Sequence, residues 1–273
     1  MKSKIKVGVI GLGYGEKHLK EYKKNKKVKI DTVCDFNKNK LRKIKSQYNV
    51  KNSTINANQI ILNPDIKIIS IASYDNFHAK QIINSIIKNK AVFVEKPLCL
   101  NFKEFNKIEA TLKKYKNSKI STNFVLRNLR VFSEVRNKIQ KGYFGKIFNV
   151  EAEYNYGRKY KIINGWRGKI PYYSVMHGGG LHLIDIMQWI TGLKILKVFA
   201  ISNKVATKYS NFKFPDNITS LIIFNNGSIG KISSNFSIVA PHHHQLRISG
   251  TKRSFFYNQD GGKEYINKQE RNY

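Results

Sequence analysis

The sequence predicts an α/β protein in two parts: a doubly wound parallel sheet over residues 1–122, then an α+β part over residues 123–273 with an open, mainly antiparallel sheet. Three observations predict it. Short apolar runs alternate with segments of helical period through the first half, the order expected of parallel strands joined by right-handed crossovers. The first run ends in a glycine-rich turn, Gly11-Leu12-Gly13-Tyr14-Gly15. Beyond about residue 125 the apolar runs lengthen, partly alternate and follow one another with few helices between them.

Residues 5–10 form the first strand, and residues 28–34 the second, with Asp35 directly after it. Residues 37–48 read as a helix with Leu41, Ile44 and Tyr48 on one face. Residues 66–72 are apolar enough for a strand buried on both sides. After His78, the residues Ala79, Ile82, Ile83, Ile86 and Ile87 keep the spacing of one helical face. Residues 91–94 are a strand again, stopped by Glu95-Lys96-Pro97. Asn101, with Glu104 three residues on, caps a helix carrying Phe102, Phe105, Ile108 and Leu112, and residues 120–124 supply one more strand. A helix over 128–141 turns Val131, Val135 and Ile139 inward. Strands follow at 147–156, 195–201, 218–224, 229–238 and 245–249, with Asn225-Asn226-Gly227-Ser228 as a hairpin turn. No internal repeat or long linker interrupts this order.

At 273 residues and 41% hydrophobic, the chain can bury a substantial core. No run approaches the roughly 20 apolar residues that span a bilayer. The N-terminal residues enter a strand without an apolar signal region. The two cysteines, Cys34 and Cys99, are few and far apart, which suits a reducing compartment and argues against a disulfide framework or a cysteine metal site. A cytoplasmic protein with no membrane contact and no metal is expected. Lys+Arg number 50 against 17 Asp+Glu, a formal net charge of +33 that would attract polyanions. The lysines are dispersed over every segment, however, and the chain is also rich in Asn and Ile. That dispersal argues for compositional drift over a nucleic-acid footprint, while an anionic substrate fits either reading.

A strand, then Gly11-x-Gly13, then a helix beginning near Gly15 is the context a dinucleotide site requires. Small residues let the backbone approach a pyrophosphate, and the helix N-terminus offers N–H groups and a partial positive charge. The third fingerprint glycine is displaced: Gly15 comes one position early and Glu16 stands where it would fall. Asp35, about 20 residues beyond the loop, can accept hydrogen bonds from a ribose and would repel a 2′-phosphate, which favours NAD. Lys38 and Lys40 nearby leave NADP open. Lys96 comes after a buried strand and before a proline that restricts its backbone, at the edge where open α/β sheets bind ligands. A lysine there can hold a substrate oxygen and favour its deprotonated form during hydride transfer.

The order of motifs resembles the glucose–fructose oxidoreductase / inositol dehydrogenase / MocA (Gfo/Idh/MocA) family. The resemblance rests on Gly11-x-Gly13 with His18, Asp35, Ile71-Ala72 followed by His78, and Glu95-Lys96-Pro97. It continues with Gly142-x-x-Gly145-Lys146-Ile147, Gly178-Gly179-Gly180-Leu181-His182-Leu183-Ile184-Asp185 and Ser249-Gly250-Thr251. It implies a Rossmann-type domain, a second domain for substrate and oligomer contacts, and an enzyme that oxidises or reduces a sugar, sugar nucleotide or polyol. By this resemblance Lys96 and His182 are catalytic, with His182 passing the proton. Cofactor contacts fall on Gly11, Gly13, Tyr14, Asp35, Ala72, His78, Glu95 and Lys96. Substrate contacts fall on Arg127, Tyr156, Trp166, Arg167 and Asp185. Trp166-Arg167 and the basic composition favour a sugar nucleotide as substrate. A homo-oligomer is also implied.

Many members carry an aspartate four residues before the histidine; here Gly178 stands in that place, with His177 beside it. The chain also stops earlier than members usually do, so a shortened C-terminus is expected. Both features favour, as the rival reading, a dinucleotide-binding sensor or partner protein impaired in catalysis. A nucleic-acid-associated basic protein is the further alternative. His242-His243-His244 read as loop histidines near the substrate mouth, not as metal ligands.

Overall fold

The computed structural model describes residues 3–267 and 269–273; Met1, Lys2 and Lys268 lie outside them. The chain divides into two compact units, Met1–Asn123 and Phe124–Tyr273.

The first unit alternates strands and helices: β1 (Ile5–Ile10), α1 (Gly15–Lys24), β2 (Val28–Cys34), α2 (Lys38–Tyr48), β3 (Asn52–Thr54), α3 (Ala57–Leu62), β4 (Ile66–Ile71), α4 (Asp75–Ile87), β5 (Ala91–Val94), α5 (Phe102–Lys114) and β6 (Ile120–Thr122). Its six strands run in the order β3-β2-β1-β4-β5-β6, with every pairing parallel. Strand order therefore reverses between β1 and β4, and the loops leaving these two strands part to leave a crevice at the carboxyl edge. Apolar clusters cover both faces. Val7, Val9, Leu19, Leu41 and Ile44 belong to one, and Ile10, Ile69, Ile82, Ile86 and Val94 to the other.

Two short elements, β3 and α3, were not expected. β3 is three polar residues at the sheet edge, and α3 is a single six-residue helix that buries Ile60 and Ile61. Helix α5 is capped as expected, with the Asn101 side chain accepting from the Glu104 amide at 2.9 Å. Its apolar stripe is narrower than expected. Ile108 is buried, whereas Phe102 and Phe105 stand in solvent against each other, ring centroids 5.7 Å apart.

The second unit begins with a short 3-10 turn, Val125–Asn128, and α6 (Arg130–Gln140). In α6 Phe132 and Val135 are the buried anchors, while Val131 and Ile139 are only partly covered, a correction of one position to the expected face. There follow β7 (Ile147–Asn155), α7 (Tyr160–Ile163), a π-helical turn at Met176–Gly180, α8 (Leu181–Thr191), β8 (Ile195–Asn203), β9 (Asn217–Phe224), β10 (Ile229–Asn235), β11 (His243–Gly250), β12 (Ser254–Asn258), β13 (Gly261–Ile266) and β14 (Gln269–Asn272). The eight strands run β14-β13-β12-β11-β7-β10-β9-β8. The β7–β10 pair is parallel and the other pairings are antiparallel.

Strands β12 to β14 were not expected, and His243 and His244 lie on β11 instead of in a loop. Inward residues Val150, Ala152, Ile222 and Ile232 are buried on the helix side. On the opposite face Phe199, Ile201, Leu221, Ile223 and Ile229 are exposed. Among the described residues no helix is long and apolar enough to cross a membrane.

Candidate active site

In the first unit the site starts at the crevice between β1 and β4. Gly11 takes a φ of +84°, open to glycine at little cost, and a Cβ there would meet the backbone of Ala72 and Ser73 at 2.3–2.4 Å. The chain thus turns back against the end of β4, and Ala72 donates its amide to the Ile10 carbonyl at 2.7 Å. Gly13 faces open space, with nothing within 4 Å of a Cβ built on it. Helix α1 then starts at Gly15, where a Cβ would lie 3.1 Å from Val9 and 3.3 Å from Ala72. Gly15 therefore supplies the close helix–strand packing expected of the third fingerprint glycine, one position early. Glu16, the residue in the glycine's usual place, has its carboxylate drawn toward α2, where Tyr48 Oη donates to Oε1 at 3.1 Å.

Asp35 ends β2 with its side chain almost wholly buried. Its Oδ2 accepts from the Leu12 amide at 2.8 Å, its Oδ1 accepts from the Asn37 amide at 2.9 Å, and Lys40 Nζ lies 3.7 Å away. The carboxylate thus ties the glycine loop to the end of the second strand. The loop fits a dinucleotide: a glycine held back against β4, an open flank at Gly13, a ten-residue helix whose N-terminus follows at once, and an acid at the neighbouring strand end.

Two strands along the same edge, β5 runs into Glu95-Lys96-Pro97, and the Lys96–Pro97 peptide is cis. The Glu95 amide still donates to the Ile71 carbonyl at 2.8 Å, so this element is held against the end of β4. Lys96 is half-buried. Glu95, read as a cofactor contact, has its carboxylate taken up inside the protein. Its Oε1 accepts from Asn123 Nδ2 at 2.6 Å and lies 2.8 Å from His18 Nε2. His18 Nδ1 in turn sits 2.8 Å from Ser70 Oγ. The imidazole thus bridges the Glu95 carboxylate and the Ser70 hydroxyl. His78, also read as lying close to the cofactor, is fully buried. Its Nδ1 is 2.7 Å from the Pro97 carbonyl oxygen and its Nε2 3.1 Å from that of Ser73. In the fold His78 clamps the Lys96–Pro97 loop to the loop after β4.

In the second unit, α8 is entered through the π-helical turn, a local widening frequent at functional sites. His182 follows in the first turn of α8, half-buried, stacked over Tyr154 at 6.4 Å and edge-on to Phe124 at the same distance. Side-chain space decides the glycine run. A Cβ on Gly178 would stand 1.9 Å from Tyr173 Oη, and one on Gly179 would enter the Tyr154 ring at 2.3 Å. Where the family resemblance led to an aspartate, this chain has the phenol of Tyr173, which accepts from Arg167 Nε at 3.1 Å. The Nδ1 of His177 is buried without a hydrogen-bond partner, and burial pushes its imidazole below the ordinary range.

The residues expected to bind substrate form two groups. Arg127 and Asp185 hold each other through two hydrogen bonds, Nε to Oδ2 at 2.8 Å and Nη2 to Oδ1. Tyr156 is buried with Arg158 and Lys161 over its ring, while Arg167 lies over the Trp166 ring at 4.7 Å. His242 and His244 pack on the Tyr154 ring at 5.2 and 4.9 Å. Ser70, Asn123, Tyr173 and Lys161 were not singled out from the sequence. Only Ser70 carried a signal, a lone hydroxyl in a buried apolar strand that must find a partner. Among the described residues no group of three or more His, Cys, Asp or Glu side chains is arranged to hold a metal ion.

A glycine turn at the switch point of a doubly wound sheet, with an acid beside it and a lysine–proline element on the same edge, defines a dinucleotide-binding protein of the oxidoreductase type. The chain belongs to the Gfo/Idh/MocA oxidoreductase family. Residues 5–124 match the family's NAD-binding Rossmann fold, and residues 132–256 match the GFO/IDH/MocA C-terminal domain. Myo-inositol 2-dehydrogenase of Thermotoga maritima is 24% identical over 261 residues, covering 92% of this chain and 75% of that protein. Oxidoreductase P35 of Formosa agariphila is 28% identical over 199 residues, 68% of this chain, which spans only 60% of that relative's length. A structure of scyllo-inositol dehydrogenase from Lactobacillus casei, with bound NAD(H) and scyllo-inositol, has a TM-score of 0.83 at 20% identity, covering 95% of this chain and 81% of that chain.

Proposed function

We propose that the chain transfers hydride between NAD(H) and a carbon bearing a hydroxyl or carbonyl group on a polyol or sugar. One observation carries this reading: Lys96 follows β5 at the same carboxyl edge where β1 delivers the glycine turn and β2 delivers Asp35. NAD(H), when bound, supplies or accepts the hydride. The amides of Gly13 and Tyr14 and the N-terminus of α1 would hold its pyrophosphate, and Asp35 a ribose. Lys96 follows Glu95, whose amide is held by β4 and whose carboxylate is held by His18, and it orients the substrate oxygen and favours its deprotonated form. His182 passes the proton. The inositol dehydrogenases among the relatives support a polyhydroxylated substrate.

Among such substrates a sugar nucleotide suits the net charge of +33 and the Trp166–Arg167 pair. The two free cysteines support a reducing, cytoplasmic setting. A second copy of the chain is the partner that the second unit's open sheet face favours, because Phe199, Ile201, Leu221, Ile223 and Ile229 form an apolar patch there.

The test is a turnover assay with NAD+ over inositols, hexoses, their phosphates and nucleotide sugars. Reduction of NAD+ with at least one member is expected. Tight NAD(H) binding without turnover of any member would favour a dinucleotide-binding sensor instead.

A further inference from the structure

Basic side chains gather around Tyr156 in a cluster that hydride transfer to a neutral sugar leaves unused. Tyr156 follows the last residue of β7, and its amide is held by the Asn235 carbonyl at 2.8 Å. Its ring is walled by Phe236 at 4.6 Å and by His242, edge-on, at 5.0 Å. Arg158 lies 5.2 Å and Lys161 5.7 Å from the ring centroid. Arg167, whose Nε donates to Tyr173 Oη, adds its charge to the field at the Tyr156 hydroxyl. Arg158, Lys161 and Arg167 are all partly open to solvent, whereas the phenol is buried.

Two features make this more than a crowded surface. Burial pushes the Tyr156 phenol up, yet Arg167, Lys161 and Arg158 together bring it below its ordinary value. The positive field therefore outweighs a desolvation that acts against it. His242 also feels Arg158 and Lys161, after burial itself, as influences that disfavour its protonation, and its Nε2 is buried with no hydrogen-bond partner. A neutral imidazole nitrogen without a partner beside clustered cations is an unmet polar group, and such groups in native structures ask for a ligand, water or ion.

We propose that Arg158, Lys161 and Arg167, with Tyr156 and His242, form the seat of a phosphoryl group carried by the substrate. Three clustered cations repel one another, and an arriving dianion relieves more of that repulsion than a single carboxylate. The two guanidinium groups offer forked donors suited to phosphoryl oxygens, and Lys161 adds a point charge. The proposal rests on the hydride-transfer reading for the identity of what bears the phosphoryl group, not for the binding itself.

Calorimetric titration with inorganic pyrophosphate, in the presence of saturating NAD+ to fill the glycine loop of the first unit, tests the seat directly. Wild-type protein is expected to bind, and Arg158→Gln and Lys161→Gln singly to weaken binding about 10- to 100-fold, the scale of a lost charged hydrogen bond. No binding to wild type, affinity unchanged in both variants, or glucuronate binding as tightly as pyrophosphate would each overturn it. Turnover separates the two readings. If neutral polyols are oxidised while pyrophosphate fails to bind, the seat falls and hydride transfer stands. If pyrophosphate binds and both variants weaken it, yet no sugar or sugar phosphate is turned over, the seat stands and hydride transfer falls.

Discussion

Arg127 grips the carboxylate of Asp185 with two nitrogens, one on each oxygen, across 58 residues of sequence. Each was expected to meet substrate; in the folded chain each first meets the other. Asp185 is the more buried partner, its side chain 10% exposed against 43% for Arg127. The hydrogen bonds to Asp185 hold the guanidinium above its ordinary range despite opposing burial. Removing Arg127 strands a nearly buried carboxylate, so Arg127→Ala should cost more stability than a typical surface substitution, about 1–2 kcal/mol. A double-mutant cycle with Asp185→Asn, followed by thermal denaturation, should show coupling of at least about 0.5 kcal/mol. Additive losses would show that the pair is not coupled.

The phenol of Tyr173 occupies the space a side chain at position 178 would need. Gly178→Asp is therefore expected to destabilise the protein by about 1–3 kcal/mol, the usual cost of overpacking. Combining it with Tyr173→Ala should recover part of that loss, because the clash is gone. Urea denaturation of the single and double variants checks this. A single variant as stable as wild type would mean that the turn accommodates the acid without moving Tyr173.

Glu264 has a 1% exposed side chain that receives hydrogen bonds from Lys138, Arg253 and Tyr273. Burial pushes its pKa up, but these three donors more than reverse that and leave it at about 2. Its folded value lies below its ordinary one of 4.5. The stability it contributes is thus present above about pH 4.5 and is lost as pH falls toward 2. Glu264→Gln should cost about 3 kcal/mol or more near neutrality. It should also flatten the fall in melting temperature across that acid window. An unchanged acid profile in the variant would show that another carboxylate controls it.

With Lys96 holding the substrate oxygen as proposed, His18 becomes a positioning residue, since its Nε2 lies 2.8 Å from the carboxylate of the adjacent Glu95. His18→Ala is expected to lower kcat by about 10- to 100-fold through misplacement of the lysine, with a smaller effect on NAD(H) affinity. His18→Gln, which keeps a donor, should lose less. Equal losses in kcat and cofactor affinity, with no difference between the two variants, would mark a structural role alone.

Much of the first unit was legible because strands β1, β2, β4 and β5 are short apolar runs, and parallel strands covered on both faces have to be. β3 was not, since three polar residues at a sheet edge bury too little to leave a pattern. In the second unit β7 to β11 were visible, whereas β14, all polar, has no apolar signature. The glycine turn, Asp35 and Lys96 could be found from local context. Their supports could not. His18 meets Glu95 across 77 residues, and Lys138 meets Glu264 across 126, so only the fold brings these partners together. Phe102 and Phe105 misled for the opposite reason: they match a helical stripe, but α5 turns only Ile108 fully into the core.

The lysine after β5 carries the central claim, and Lys96→Met tests it most directly, since it keeps an unbranched side chain of nearly the same length and removes the ammonium. NAD(H) affinity and turnover of the best substrate should be measured on the same preparation. The expected result is cofactor binding close to wild type with turnover nearly abolished. Turnover near the wild-type rate would contradict the assignment of Lys96 as the group that holds the reacting oxygen.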